Sequence, residues 1–180
     1  MGKKSVTKGK TAEREICKIL NERFASRLDA GQFSRSLGSG NRWSQASLTT
    51  SANEVFAGDV VVPPDFKFCI ESKAIKSFDL VSALSAGNRQ LDAFLSQVET
   101  DTFRCGREAL LILKANHRPR LAFIRTFHQS QLPIFNSYFV YHGWLCVPLD
   151  DLLKLDDSFF FSERGNDAEQ PSETIEQVAF

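Results

Sequence analysis

Between Thr11 and about Leu28 the apolar residues Ala12, Ile16, Ile19, Leu20 and Phe24 recur near the 3.6-residue period. That spacing predicts an amphipathic helix with Thr11 as its N-cap. Steps of three, four, seven and eleven residues from Glu13 reach Ile16, Cys17, Leu20 and Phe24, so its carboxylate shares the apolar side. An acid so placed is paired, functional, or at the wet margin of the stripe. Glu15 and Glu22 fall on the other side, as surface acids do. Residues 32–37 are a short extended candidate ahead of a Gly38-Ser39-Gly40 turn, and 41–58 are polar without a period, which reads as an inserted loop.

Asp59-Val60-Val61-Val62 has the pattern of a buried strand stopped by Pro63-Pro64. From Phe66 to Lys73 the chain alternates: Phe66, Phe68, Ile70 and Ser72 face one way, and Lys67, Cys69, Glu71 and Lys73 the other. Together the two segments predict a hairpin-like pair around the Pro-Pro-Asp turn. A loop follows, then a helix from Asn88 to about Arg104 carrying Leu91, Phe94, Leu95 and Val98. Strands are expected at 109–114 and 121–125, a further hairpin about Gly143, and a short helix from Asp150 to Leu155. The Phe159-Phe160-Phe161 run is expected in core packing or a dimer contact, ahead of a tail-like composition from Arg164. The expected organisation is one domain over 1–157, with its loop at 41–58, and an acidic tail over 158–180.

Composition narrows the class. Of 180 residues 42% are hydrophobic and 24% charged, enough apolar material for one core and ordinary for a soluble domain. No run approaches the ~18 apolar residues of a membrane span. The opening MGKKSVTKGK is basic with no apolar segment behind it, which points away from a secretory signal and toward the cytoplasm. Cys17, Cys69, Cys105 and Cys146 form no CxxC pair, so reduced, buried thiols are expected rather than zinc ligands or disulfides. His117, His128 and His142 are expected to be structural or on the surface. Neither GxGxxG nor GxxxxGK[ST] occurs.

Charge is balanced overall but not along the chain. Through Trp43 ten basic residues face four acids, and from Asp150 onward nine acids face two basic residues. A basic front and an acidic end suggest a polyanion-binding surface with a solubilising or self-masking terminus, although two ordinarily solvated ends have the same composition.

The residues with chemistry to offer converge in this layout. Glu71 and Lys73 leave one face of one strand, about 7 Å apart. Asp59 opens the neighbouring strand, and Glu13 comes from a helix that must pack on the sheet. Clustered carboxylates repel unless a hard cation sits between them, and oxygen ligands with open water positions suit Mg²⁺ or Mn²⁺. A lysine beside such a metal can orient or deprotonate a water and stabilise charge on a pentavalent phosphorus. Asp65, at the far end of the turn, lies away from Glu71.

Several blocks taken together carry a resemblance. Lys8-Gly9-Lys10-Thr11-Ala12-Glu13-Arg14-Glu15-Ile16 is similar to the opening of archaeal-type Holliday junction resolvases. Phe33-Ser34-Arg35-Ser36-Leu37-Gly38-Ser39-Gly40 resembles their next block, Gly58-Asp59-Val60-Val61 their Asp-apolar strand, and Ile70-Glu71-Ser72-Lys73 their Ile-Glu-Val-Lys strand. These blocks resemble the resolvase branch of the PD-(D/E)XK nuclease superfamily, including its phage members. The resemblance runs from Lys8 to about Lys114. It implies a restriction-endonuclease-like α/β fold, a central mixed β-sheet flanked by α-helices, and Mg²⁺-dependent cleavage of DNA, best of four-way junctions, by a homodimer.

Carried over by position, the resemblance implies Glu13, Asp59, Glu71 and the Ser72 backbone carbonyl as metal ligands, with Lys73 as the catalytic lysine. Arg14 and Arg35 would contact DNA phosphates, Ser39 would sit in a loop near the scissile strand, and Gln97 matches a glutamine that phage relatives carry. The loop with Arg42-Trp43 is longer than the archaeal one and would be a DNA-contacting lid, a junction wedge, or inert. A phage or mobile-element nuclease without junction preference, and a non-catalytic DNA-binding or interaction module, are the rival expectations.

Overall fold

The structure, a computed structural model, describes residues 3–27, 32–36, 57–131 and 138–162. A long helix α1 (Lys3–Arg23) leads into two short strands, β1 (Ser34–Arg35) and β2 (Val60–Val61), and then the eight-residue strand β3 (Phe68–Ile75). Helices α2 (Leu80–Ala86) and α3 (Arg89–Cys105) carry the chain over to β4 (Glu108–Ala115), which lies parallel to β3. A parallel pair needs such a crossover, because its ends lie at opposite edges of the sheet. The antiparallel strands β5 (Arg120–Arg125), β6 (Phe139–Tyr141) and β7 (Trp144–Pro148) complete a mixed sheet in the order β3-β4-β5-β7-β6. Two short helices, α4 (Leu149–Leu152) and α5 (Asp157–Phe160), follow.

Both faces of this sheet are covered, so its central strands are apolar on both sides. Phe68, Ile70, Leu110, Ile112, Ile124 and Val147 pack under α1, α4 and α5. Leu111, Leu113, Phe123, Trp144 and Cys146 pack under α2 and α3, against Ala83, Leu91, Leu95 and Val98. The result is the restriction-endonuclease-like α/β arrangement, with β3 on the sheet's edge.

Local sequence explains where α3 starts and stops. Asn88 Oδ1 accepts the Leu91 N–H at 3.0 Å as an N-cap, and Gly106 ends the helix at φ +67° with its N–H on the Thr102 carbonyl. Tyr141 ties the far edge to this helix: its hydroxyl donates to Asp92 at 2.7 Å and accepts the Asn88 N–H at 2.9 Å.

Four expectations need correction. Thr11 is no N-cap, because α1 begins at Lys3 and runs through it; the polar turns before Ala12 extend the helix beyond the apolar stripe that defined it. β2 pairs antiparallel with β1, Ser34 opposite Val61 and Arg35 opposite Val60, and not with β3 as a hairpin. Helix α2 occupies part of the expected loop; Asp79 caps it through the Val81 and Ser82 N–H groups. The fold also continues past residue 157. Phe160 and Phe161 are fully buried, Phe161 bridges Phe66, and Lys67 N–H donates to the Phe160 carbonyl at 2.8 Å. Of the two roles expected for this run, core packing is the observed one, and the tail expected over 158–180 begins no earlier than 163, outside the described residues.

Phenylalanine dominates that closure. Phe24 lies 5.1 and 5.0 Å from the rings of Phe160 and Phe161, and Phe66 lies 5.0 Å from Phe33 and 5.1 Å from Phe161, all tilted or edge-to-face as ring quadrupoles favour. Part of the basic front is spent here. Arg23 donates to the Leu153 and Leu155 carbonyls at 2.5 and 2.8 Å, and Arg27 pairs with Asp65 at 3.3 Å. His128 is buried against Phe68 and Phe159, while His117 and His142 are exposed at positive φ, so all three fit the structural or surface roles expected.

Candidate active site

Asp59 is positioned by backbone geometry. Gly58 adopts φ +77°, and a Cβ there would stand 2.6 Å from the Ile70 carbonyl oxygen, so only glycine lets the chain come this close. The approach allows Asp59 N–H to donate to the Ile70 carbonyl at 2.9 Å. In return Asp59 Oδ2 accepts the Ser72 N–H at 3.0 Å. Polar groups on the open edge of β3 are thereby satisfied, and a carboxylate is fixed beside that edge.

β3 then presents Glu71 and Lys73 on the face toward α3, as the alternation predicted. Glu71 is 1% exposed. Lys73 Nζ donates to Glu71 Oε1, and Gln97 Nε2, on α3, donates to the same oxygen at 2.5 Å. The Lys73 ammonium also lies 5.6 Å above the Phe94 ring. Glu13 arrives from the opposite face on α1, buried, with Arg35 Nε donating to its Oε2 at 2.6 Å.

Electrostatics identify Asp59 as the middle of this group. Burial raises the Glu71 carboxyl to about 8, and the charge of Asp59 pushes the same way; Lys73 opposes but does not cancel them. The Asp59 carboxyl is also raised, first by burial, while Lys73 and the Ser72 N–H pull it down and Glu13 pushes it up. Asp59 and Glu71 hydrogen-bond each other through their carboxyls, which requires a proton between them. Two buried acids sharing a proton beside a lysine form a polar site under electrostatic strain. It can take up a cation, hold a proton, or move one.

The structure therefore brings Glu13, Asp59, Glu71, Lys73, Arg35 and Gln97 together. Ser72 is buried and engages Asp59 through its N–H, while Arg14 is exposed on α1. Ser39 and Arg42 lie outside the described residues. Asp65 is far from the group and pairs with Arg27. One member escaped the sequence reading. Asp101, four residues and about one turn beyond Gln97 on α3, is half-buried, has a raised carboxyl, and adds to the negative charge acting on Glu71. Its spacing of four from Gln97 is the signal that could have pointed to it.

Among the described residues no three His, Cys, Asp or Glu side chains are gathered to hold a metal ion. The reason is visible: Arg35 engages Glu13, and Lys73 with Gln97 engages Glu71. The donor chemistry of Asp59 and Glu71 nonetheless fits a hard divalent cation, since a cation between them would relieve both burial and mutual repulsion.

Comparison with known proteins gives one family and one solved structure. No curated protein matches the sequence. The chain is similar to Hjc, a Holliday junction resolvase from the archaeal hyperthermophile Archaeoglobus fulgidus, at 18% identity over 79% of this chain and 90% of that one, with a TM-score of 0.39. The family described as "Phage putative PDDEXK endonuclease" matches residues 4–142. Because that match covers α1, β3 and most of the sheet, the chain belongs to this family of PDDEXK nucleases.

Proposed function

We propose that this nuclease hydrolyses phosphodiester bonds in branched DNA, cutting four-way junctions by paired nicks as a homodimer in the presence of Mg²⁺ or Mn²⁺. The observation that carries the reading is the buried Asp59–Glu71 pair with Lys73 hydrogen-bonded to it on the edge strand. The preference for junctions is supported by the Lys8–Ile16 and Phe33–Gly40 blocks, which resemble those of resolvases, and not by the fold.

In this reading Asp59, Glu71 and the Ser72 carbonyl would hold the cation, joined by Glu13 once Arg35 turns from it to a DNA phosphate. A bound divalent cation supplies positive charge for the phosphoryl oxygens. Lys73 holds its ammonium where negative charge develops, and Gln97 and Lys73 keep Glu71 in one orientation. Arg14, Arg35, Ser39 and Arg42 would contact the backbone phosphates, so affinity should fall steeply with salt.

A second reading, cleavage without junction preference, draws on the family description, which names an endonuclease and no junction. A four-way junction and a linear duplex of the same sequence, each incubated with Mg²⁺ or EDTA, separate the two. Paired nicks in the junction alone, lost in EDTA and in Asp59→Asn, are the expected result. Equal cutting of both substrates favours the second reading, and no cutting in Mg²⁺ or Mn²⁺ favours a non-catalytic DNA-binding module.

A further inference from the structure

The nuclease reading leaves two thiols unused. Cys69 is the second residue of β3 and Cys105 the last of α3, and their thiols are hydrogen-bonded to one another. They differ in access. Cys105 lines an open cleft of about 430 Å³ with Lys67, Gly106, Arg107 and Glu108. Cys69 is 1% exposed, lies behind it, and has its Sγ 3.0 Å from where a Gly58 Cβ would stand.

The surroundings of Cys105 favour the thiolate. The Cys69 thiol and the Arg107 N–H both donate toward its sulfur, and the Arg107 guanidinium adds positive charge. Arg107 is itself anchored, donating to the Phe66 and Pro63 carbonyls. Burial and Asp101 oppose, yet the thiol is held near 7. The other two thiols are different: burial raises Cys17 to about 11 and raises Cys146 as well.

We propose that Cys105 is a site of oxidation by hydroperoxides and that Cys69 is its resolving thiol. In the first step the Cys105 thiolate attacks one oxygen of a hydroperoxide and the O–O bond breaks. The departing oxygen takes a proton and leaves as an alcohol, or as water from hydrogen peroxide, and Cys105 is left as a sulfenic acid. Cys69 then gives up its proton and attacks the Cys105 sulfur. The S–O bond breaks, water leaves, and a disulfide joins the two residues. Overall the two thiols lose two electrons and the peroxide gains them. The bridge fastens α3, which carries Gln97, to β3, which carries Glu71. Its formation does not depend on the nuclease reading.

Peptide mapping of the full-length protein tests this. Fully reduced protein is exposed briefly to a small excess of hydrogen peroxide, unfolded, and its remaining thiols alkylated. The expected product is a Cys69–Cys105 linked peptide with Cys17 and Cys146 alkylated. Native, reduced protein should react with iodoacetamide at Cys105 about tenfold or more faster than at Cys17 or Cys146. In Cys69→Ser the reaction should stop at a Cys105 sulfenic acid, captured by dimedone. Absence of the linked peptide from the wild-type protein, or dimedone capture at another cysteine, would overturn the proposal. The wild-type result stands whether or not the variant folds.

Discussion

Phe68 and Glu71 lie three residues apart on β3, both almost wholly buried, and opposite forces hold them. Phe68 rests against Phe66, Phe159 and Phe160 with ring centroids 5.4–6.2 Å apart, and burial of such a side chain stabilises by roughly 1.5–3 kcal/mol. Glu71 loses by burial. Its hydrogen bonds from Lys73 and Gln97 compensate only in part, because Asp59 stands against it. One end of the strand is a source of stability and the other a place where stability is spent. A site with this much unfavourable charge needs a stiff support, and the phenylalanine cluster that closes over the start of β3 provides it. Removing a group from the acid end should therefore damage chemistry and spare the fold, while removing one from the phenylalanine end should do the reverse.

The largest effect expected from this contrast is at Lys73. Lys73→Ala should lower the rate of DNA cleavage by about two to four orders of magnitude, the usual range for loss of a proton-handling or charge-stabilising group. Binding to DNA, measured by gel shift, and the thermal midpoint should stay near those of the wild type. At the other end, Phe66→Ala should cost about 3–5 kcal/mol in a urea titration, since Phe66 is fully buried among four other rings. The fraction that remains folded should cleave at close to the wild-type rate. If Phe66→Ala left stability intact while Lys73→Ala unfolded the protein, the contrast would be wrong.

A smaller effect concerns pH. Glu71 holds its proton more tightly in the folded state, near 8 against an ordinary 4.5, so its contribution to stability is complete below about 4.5 and is lost as pH rises through about 8. Asp59 is shifted in the same direction. In EDTA the thermal midpoint should thus fall between pH 5 and 8, by an amount on the order of a few kcal/mol. Glu71→Gln should flatten that slope, and a midpoint that rose with pH would contradict the assignment. The smallest effect is expected for Gln97→Ala, which removes one of the hydrogen bonds to Glu71 and leaves Lys73. A loss of about tenfold or less in cleavage rate would fit a positioning role.

Legibility in the sequence followed how local each feature is. Helix α3 was readable to within a residue at each end, because its Asn88 cap, its apolar period and the glycine at its end are all local signals. The two faces of β3 followed from strict alternation, and with them the placing of Glu71 and Lys73. The Gly58–Asp59 approach was legible only as a motif, and its cause appears once Ile70 is beside it. Helix α2 was missed because Val81 and Leu84 are exposed and only Ala83 is buried, so no apolar stripe marks it. The partner of β2 was misread because a two-residue strand carries no register of its own; β1 supplies it. Asp101 has no local signal, since an acid on a helix reads as solvated until packing shows what it faces.

The account's central claim is that Asp59 and Glu71 form a divalent-cation site. The most direct test titrates Mn²⁺ into metal-free protein and follows free Mn²⁺ by electron paramagnetic resonance, with Asp59→Asn and Glu71→Gln alongside. The account predicts saturable binding by the wild-type protein that strengthens as pH rises toward 8, since Glu71 must shed its proton to bind, and that both substitutions abolish it. Equal Mn²⁺ binding by all three proteins would contradict it.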